Sequence, residues 1–151
     1  MAKVANNELG NGWSDFLVIK HGDLTAEATT QTFTLPVPAG GIVKDVGVYL
    51  ETAFDGGSTN GLKIDVGDGT DADGYIDNVE LAVDATEVIY TLSNGPLLKD
   101  ADASSTNLHQ GKLYTTADTI DILLTGSHNL NTIDTGKVIV WVDMKRLNPE
   151  A

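Results

Sequence analysis

The 151-residue chain has no cysteine, four prolines, two tryptophans and only nine Lys+Arg against 22 Asp+Glu. The missing cysteine excludes thiol nucleophiles, iron–sulfur clusters, cysteine-ligated zinc and disulfides. Stability must then come from burial, which a chain of this length can supply from one core. The shortage of basic residues leaves a formal net charge of −13. That argues against nucleic acid as a partner, because phosphate binding rests on Lys and Arg, and against an anionic membrane surface. Long hydrophobic runs are also missing. Ile120–Leu124, broken by Asp121, and Val138–Val142 are the longest, far short of the roughly 20 residues that span a bilayer. Met1–Glu8 is polar and lacks an apolar h-region, so no Sec leader is expected, and synthesis in a cytoplasm as a soluble protein is.

What the sequence does contain is alternation. Gln31, Phe33 and Leu35 share one face and Thr30, Thr32 and Thr34 the other. Ile42, Val46, Val48 and Leu50 recur across 42–52, and Leu62, Ile64 and Val66 alternate with Lys63 and Asp65. Val138, Val140, Val142 and Met144 alternate with Ile139, Trp141 and Asp143. Each pattern predicts a strand with one face on a core, and the last, apolar on both faces at first, predicts a central one. Shorter Val-, Ile- and Thr-rich candidates are Asp15–Lys20, Glu87–Leu92, Lys112–Thr115 and Thr119–Thr125. Gly-, Pro- and Asn-rich turns separate them, so the expected fold is all-β: a single jelly-roll-like sandwich of about eight antiparallel strands. Ile76, Val79 and Val83, spaced i, i+3, i+7 after Asp73-Gly74, predict one short helix over Tyr75–Val83. Residues 1–14 read as an extended N-terminal arm, 15–147 as the sandwich domain and 148–151 as a C-terminal tail.

Catalytic signatures are absent. There is no Gly-x-Ser-x-Gly elbow and no His-Glu-x-x-His, and His21, His109 and His128 fall in expected turns or strand ends. With 22 carboxylates, some pair is inevitable and names no acid–base machinery. Gly67-Asp68-Gly69-Thr70-Asp71 has phosphate-loop glycines, but its carboxylates would repel an anion. No enzyme activity and no cofactor are therefore expected. One metal reading has partial support. An EF-hand loop begun at Gly69 would put Asp71, Asp73, Asp77 and Glu80 at ligand positions 3, 5, 9 and 12 and Gly74 at the turn. Gly69 occupies the position of the first Asp ligand, and a strand precedes it. The alternative is an acidic turn whose Asp side chains cap backbone N–H groups. If a cation does bind, Ca²⁺ suits such oxygen ligands.

Charge is unevenly spread. No basic residue lies between Lys63 and Lys99, while eight acidic ones fall between them. Such a stretch is either a solvated face or a face for a basic partner. The ends carry Lys3, Trp13, Phe16, Lys145 and Arg146, residue types enriched at binding hot spots and here candidates for partner contact. Trp13 and Phe16 could equally plug the core at the first strand.

The run Asp23–Leu35, the Pro38-Ala39-Gly40-Gly41 turn, Thr52–Gly57 and Val66–Tyr75 together resemble small structural proteins of tailed-bacteriophage virions over residues 23–75. The resemblance implies a capsid decoration (cement) protein on the outer shell surface. Its partners would be the major capsid protein and further copies of itself, a trimer ahead of a dimer. Rival readings are a tail or head-fibre component, a Ca²⁺-dependent carbohydrate-binding sandwich using an exposed Trp, and a small hydrolase.

Overall fold

The computed structural model describes residues 3–9, 12–58, 61–82, 90–92 and 111–146. The described residues form ten strands: β1 (Lys3–Leu9), β2 (Gly12–Lys20), β3 (Thr30–Val37), β4 (Gly41–Asp55), β5 (Leu62–Asp68), β6 (Ile76–Glu80), β7 (Tyr90–Leu92), β8 (Lys112–Tyr114), β9 (Asp118–Gly126) and β10 (Thr135–Arg146). They form two antiparallel sheets. A six-stranded sheet has the order β1-β2-β10-β4-β7, with β8 also on β4, and a four-stranded sheet has the order β3-β9-β5-β6. The ladders are nested, β2 with β10, β3 with β9, β4 with β7 and β5 with β6. Such nesting is the connectivity of a jelly-roll-like sandwich. β10 lies in the middle of its sheet, as its two-sided apolarity predicts.

Alternation builds the core. Leu17 and Ile19 of β2, Val138, Val140 and Val142 of β10, and Val46, Val48 and Leu50 of β4 face inward. They meet Leu35 and Val37 of β3, Ile120, Ile122 and Leu124 of β9, and Leu62, Ile64 and Val66 of β5. Burying such side chains contributes about 1.5–3 kcal/mol each. Pro36, which has no N–H for a ladder, sits on β3 at the sheet edge, where that loss is tolerated.

Two expectations are corrected. Residues 76–80 are a strand, not a helix; Ile76, Val79 and Glu80 pair with Val66, Ile64 and Lys63 of β5. β-Branched Ile76 and Val79 suit a pleated surface, and the open edge of β5 offers the hydrogen bonds a lone nine-residue helix would have to make alone. Asn78 takes a positive φ of 60° that interrupts either regular form. Val83 lies outside the described residues. The arm is revised as well, since Lys3–Leu9 pairs in register with β2, which itself begins at Gly12 rather than Asp15.

Candidate functional site

The acidic stretch contains the most elaborate polar structure among the described residues. Asp68, at the end of β5, is buried. Its Oδ1 accepts the backbone N–H of Thr70 at 2.9 Å and of Asp71 at 3.1 Å, so it caps the turn that follows. Its Oδ2 accepts Tyr114 Oη–H at 2.7 Å and the Lys112 ammonium. Tyr114 Oη also lies 2.7 Å from Tyr75 Oη. Because Tyr114 spends its one proton on Asp68, Tyr75 must donate to Tyr114. The Lys112 ammonium also sits 5.0 Å from the centre of the Tyr114 ring, within cation–π reach. β8 belongs to the six-stranded sheet and β5 to the four-stranded one, so this network is a polar clasp between the sheets.

The electrostatics suit a clasp. Burial pushes the Asp68 carboxyl up, but Lys112, Tyr114 and the Thr70 and Asp71 N–H groups outweigh it and hold it below the usual carboxylate range. Burial pushes both phenols well above their ordinary range, and for Tyr114 the bonds to Tyr75 and Asp68 add to the rise. Every member is hydrogen-bonded to another, with Asp68 favoured as the carboxylate and both phenols favoured in the protonated form, a satisfied network that ties the two sheets together.

The four calcium candidates are not assembled into one site. Asp71 and Asp73 lie in the turn, where a hydrogen bond from Asp73 raises the Asp71 carboxyl above its ordinary range. Asp77 and Glu80 stand on β6, on either side of the irregularity at Asn78 and away from the turn that carries Asp71 and Asp73. Among the described residues no three His, Asp or Glu side chains converge on a common point. Capping of backbone N–H groups, the alternative reading, is what Asp68 does, and Asp65 does likewise for Asn78 at 2.6 Å. His21 and His128 sit on exposed turns; His109 lies outside the described residues.

The terminal candidates are dispersed. Lys3 pairs with Val18, which pairs with Ile139, whereas Arg146 ends β10 opposite Gly41. Seven residues of strand, about 23 Å, separate the two registers. Trp13 stands opposite Met144, and Lys145 is exposed at the end of β10. Phe16 is half-buried on the outer side of β2, opposite Trp141.

A group that sequence reasoning missed is Asp15. It is inward-facing and only 6 % exposed, and its Oδ1 makes no hydrogen bond among the described residues. Burial raises its carboxyl above the ordinary aspartate range. The penalty for ionising Asp15 in the folded state is absent below the unfolded value near 4 and grows as pH rises through the raised folded value. Asp15→Asn is therefore expected to stabilise the fold by about 1 kcal/mol at pH 7 and to leave it unchanged at pH 3, read by urea melts at both. Equal effects at the two pH values would refute the assignment.

No protein-family model matches the chain, and no curated protein matches it in sequence. The fold does have solved counterparts. One is a chain of the capsid asymmetric unit of cyanophage Pam1, similar with a TM-score of 0.56 at 18% identity over 95% of this chain and 93% of that one. Another is a chain of the acidic stable capsid of the Helicobacter pylori bacteriophage KHP30, with a TM-score of 0.52 at 12% identity over 98% and 95%. The near-equal coverages mean that each matched chain has about the length of this one. The likeness is thus between whole chains sharing one sandwich fold.

Proposed function

We propose that this chain is a small structural protein of a tailed-phage head, a decoration protein that binds the outside of the capsid shell and stabilises it. The observation that carries the reading is the whole-chain fold likeness to similarly sized chains of two phage capsids. The two sheets add support from their chemistry. Apart from the buried Asp68, β3, β5, β6 and β9 carry one basic residue, Lys63, against Asp65, Asp77, Glu80, Asp118 and Asp121. Thr30, Thr32 and Thr34 stand exposed along β3. That is a solvated surface, suited to face outward from a particle. Lys3, on the edge strand β1, and Arg146, at the end of β10, are the basic candidates for contact with the major capsid protein.

Such a protein acts by binding, needs no cofactor and turns nothing over. Many weak contacts repeated by symmetry give avidity without a deep pocket, and binding only the assembled shell stabilises it by mass action. Quantitative mass spectrometry of purified virions tests the reading. Copy numbers on the order of hundreds per head, in step with the shell's symmetry, are expected. A handful of copies per particle would instead favour a tail or fibre component, and complete absence would overturn a virion role.

A further inference from the structure

The two outer sheet faces differ in kind. On the four-stranded sheet the outward positions of β3 are Thr30, Thr32, Thr34 and Pro36, all exposed. On the six-stranded sheet the outward positions form two adjacent apolar rows. Val18, Ile139 and Tyr49 stand side by side in one, and Phe16, Trp141 and Gly47 in the next. A Cβ on Gly47 would run into the Trp141 indole, so glycine there lets the ring lie flat across β4 and keeps the face level. Farther along, Leu113 of β8 pairs with Ile42 and is 48% exposed, the one large apolar side chain so exposed among the described residues.

We infer that this outer face of the six-stranded sheet is where copies of this chain pack against one another. Charge selects the occupant. At a net charge of −13 two copies repel, and meeting through the four-stranded sheet would set Asp65, Asp77, Glu80 and Asp121 against their own kind. The apolar face is bordered instead by both signs: Lys20, Lys137 and Lys145 with Asp45, Glu51 and Asp143, Asp45 standing opposite Asp143 and Lys137 already pairing with Glu51 at 2.6 Å. A mixed border is complementary to itself. β2, β10 and β4, three strand widths of about 4.8 Å by some seven residues of about 3.3 Å, together with the three residues of β8 give a footprint of about 380 Å² before side-chain relief, toward the low end of specific interfaces, which bury roughly 800 Å² per partner.

This deepens the assembly part of the virion reading, and its test uses free protein, so its failure leaves head binding standing. Sedimentation equilibrium of the full chain is expected to give a multiple of 15.9 kDa at micromolar concentration. Association should tighten with added salt, because screening weakens the long-range repulsion while apolar contact persists. Ile139→Glu should raise the dissociation constant at least about 100-fold, and Thr34→Glu on the opposite sheet should leave it unchanged. The absence of cysteine supplies a second measurement should Ile139→Glu fail to fold. Tyr49→Cys should be joined between copies by a short bis-maleimide, and Thr34→Cys should not. A wild-type monomer at 100 μM, or equal cross-linking at the two positions, overturns the inference.

Discussion

Replacing Asp68 by Ala is expected to destabilise the fold by about 3–5 kcal/mol, about 10 °C in melting midpoint for a domain of this size. The magnitude follows from what the deletion leaves behind. Four donors converge on this carboxylate: two backbone N–H groups, the Tyr114 hydroxyl and the Lys112 ammonium. The Asp68 side chain is fully buried and that of Lys112 largely so. Removing the acceptor strands a positive charge and a hydroxyl between the sheets, whose desolvation is no longer offset. Asp68→Asn, which retains one carbonyl acceptor for the turn, should lose less. The pH dependence separates charge from shape. Because the folded carboxyl lies below its ordinary range, its contribution is fully present above the unfolded value near 4 and is lost as pH falls through the lowered folded value. Urea melts from pH 2 to 7 should show the acid limb of wild type flattened in Asp68→Asn. An Asp68→Ala loss below about 1 kcal/mol would mean that water already serves these donors.

The clasp and Asp15 pull against each other in acid. Protonation relieves Asp15, whose carboxyl burial alone raises, and breaks the charge pairing of Asp68, which four partners stabilise. The same residue type, equally buried, carries opposite sign because one has donors and the other has an unbonded oxygen. The two sites contribute to the acid stability of the free protein with opposite sign, and exchanging either for Asn isolates the other.

How much of this was legible in the sequence depends on range. The four strands predicted by alternation are present, because period two is a local property that burial on one face enforces, and each of the four shorter Val-, Ile- and Thr-rich candidates contains a strand, Glu87–Leu92 among the described residues over Tyr90–Leu92. Tyr75–Val83 misled because Ile76, Val79 and Val83 satisfy a helical spacing, while the deciding influence, the open edge of β5, lies more than ten residues upstream. β1 was invisible for a related reason, since Lys3–Leu9 has too few apolar residues to alternate and gains its strand geometry from the ladder with β2. Trp141 and Ile139 on the second face of β10 marked it as central, which it is, and the same residues form the outer apolar rows. The clasp could not be foreseen: Asp68 and Lys112 are 44 positions apart, and nothing in an Asp-rich segment distinguishes the one carboxylate that turns inward.

Gly67→Ala is expected to destabilise the fold by about 3 kcal/mol, whereas Gly69→Ala two residues away should be neutral or stabilising by about 0.4–1 kcal/mol. Neither glycine has a positive φ, so the contrast is one of space alone. A Cβ on Gly67 would fall on the Asp71 carbonyl oxygen and the Ala72 carbonyl, backbone atoms that no rotamer change can clear. Those atoms approach so closely because the turn folds back over β5, with Asp68 N–H donating to the Asp71 carbonyl at 2.9 Å and Tyr75 N–H to that of Val66 at 2.9 Å. Pushing the turn outward breaks that first bond, draws the Thr70 and Asp71 N–H groups off Asp68 and shifts Tyr75 away from Tyr114, so a single methyl loosens the clasp from its far side. At Gly69 the nearest atom to a new Cβ is Asp118 Oδ1 at 3.8 Å, an ordinary contact, and Ala there gains by restricting the unfolded chain. Denaturant melts of the two single variants and of Gly67→Ala combined with Asp68→Ala decide the matter. Since the methyl acts partly through the carboxylate, the double variant should lose less than the sum of the singles by at least about 1 kcal/mol. Strict additivity would separate the turn from the clasp.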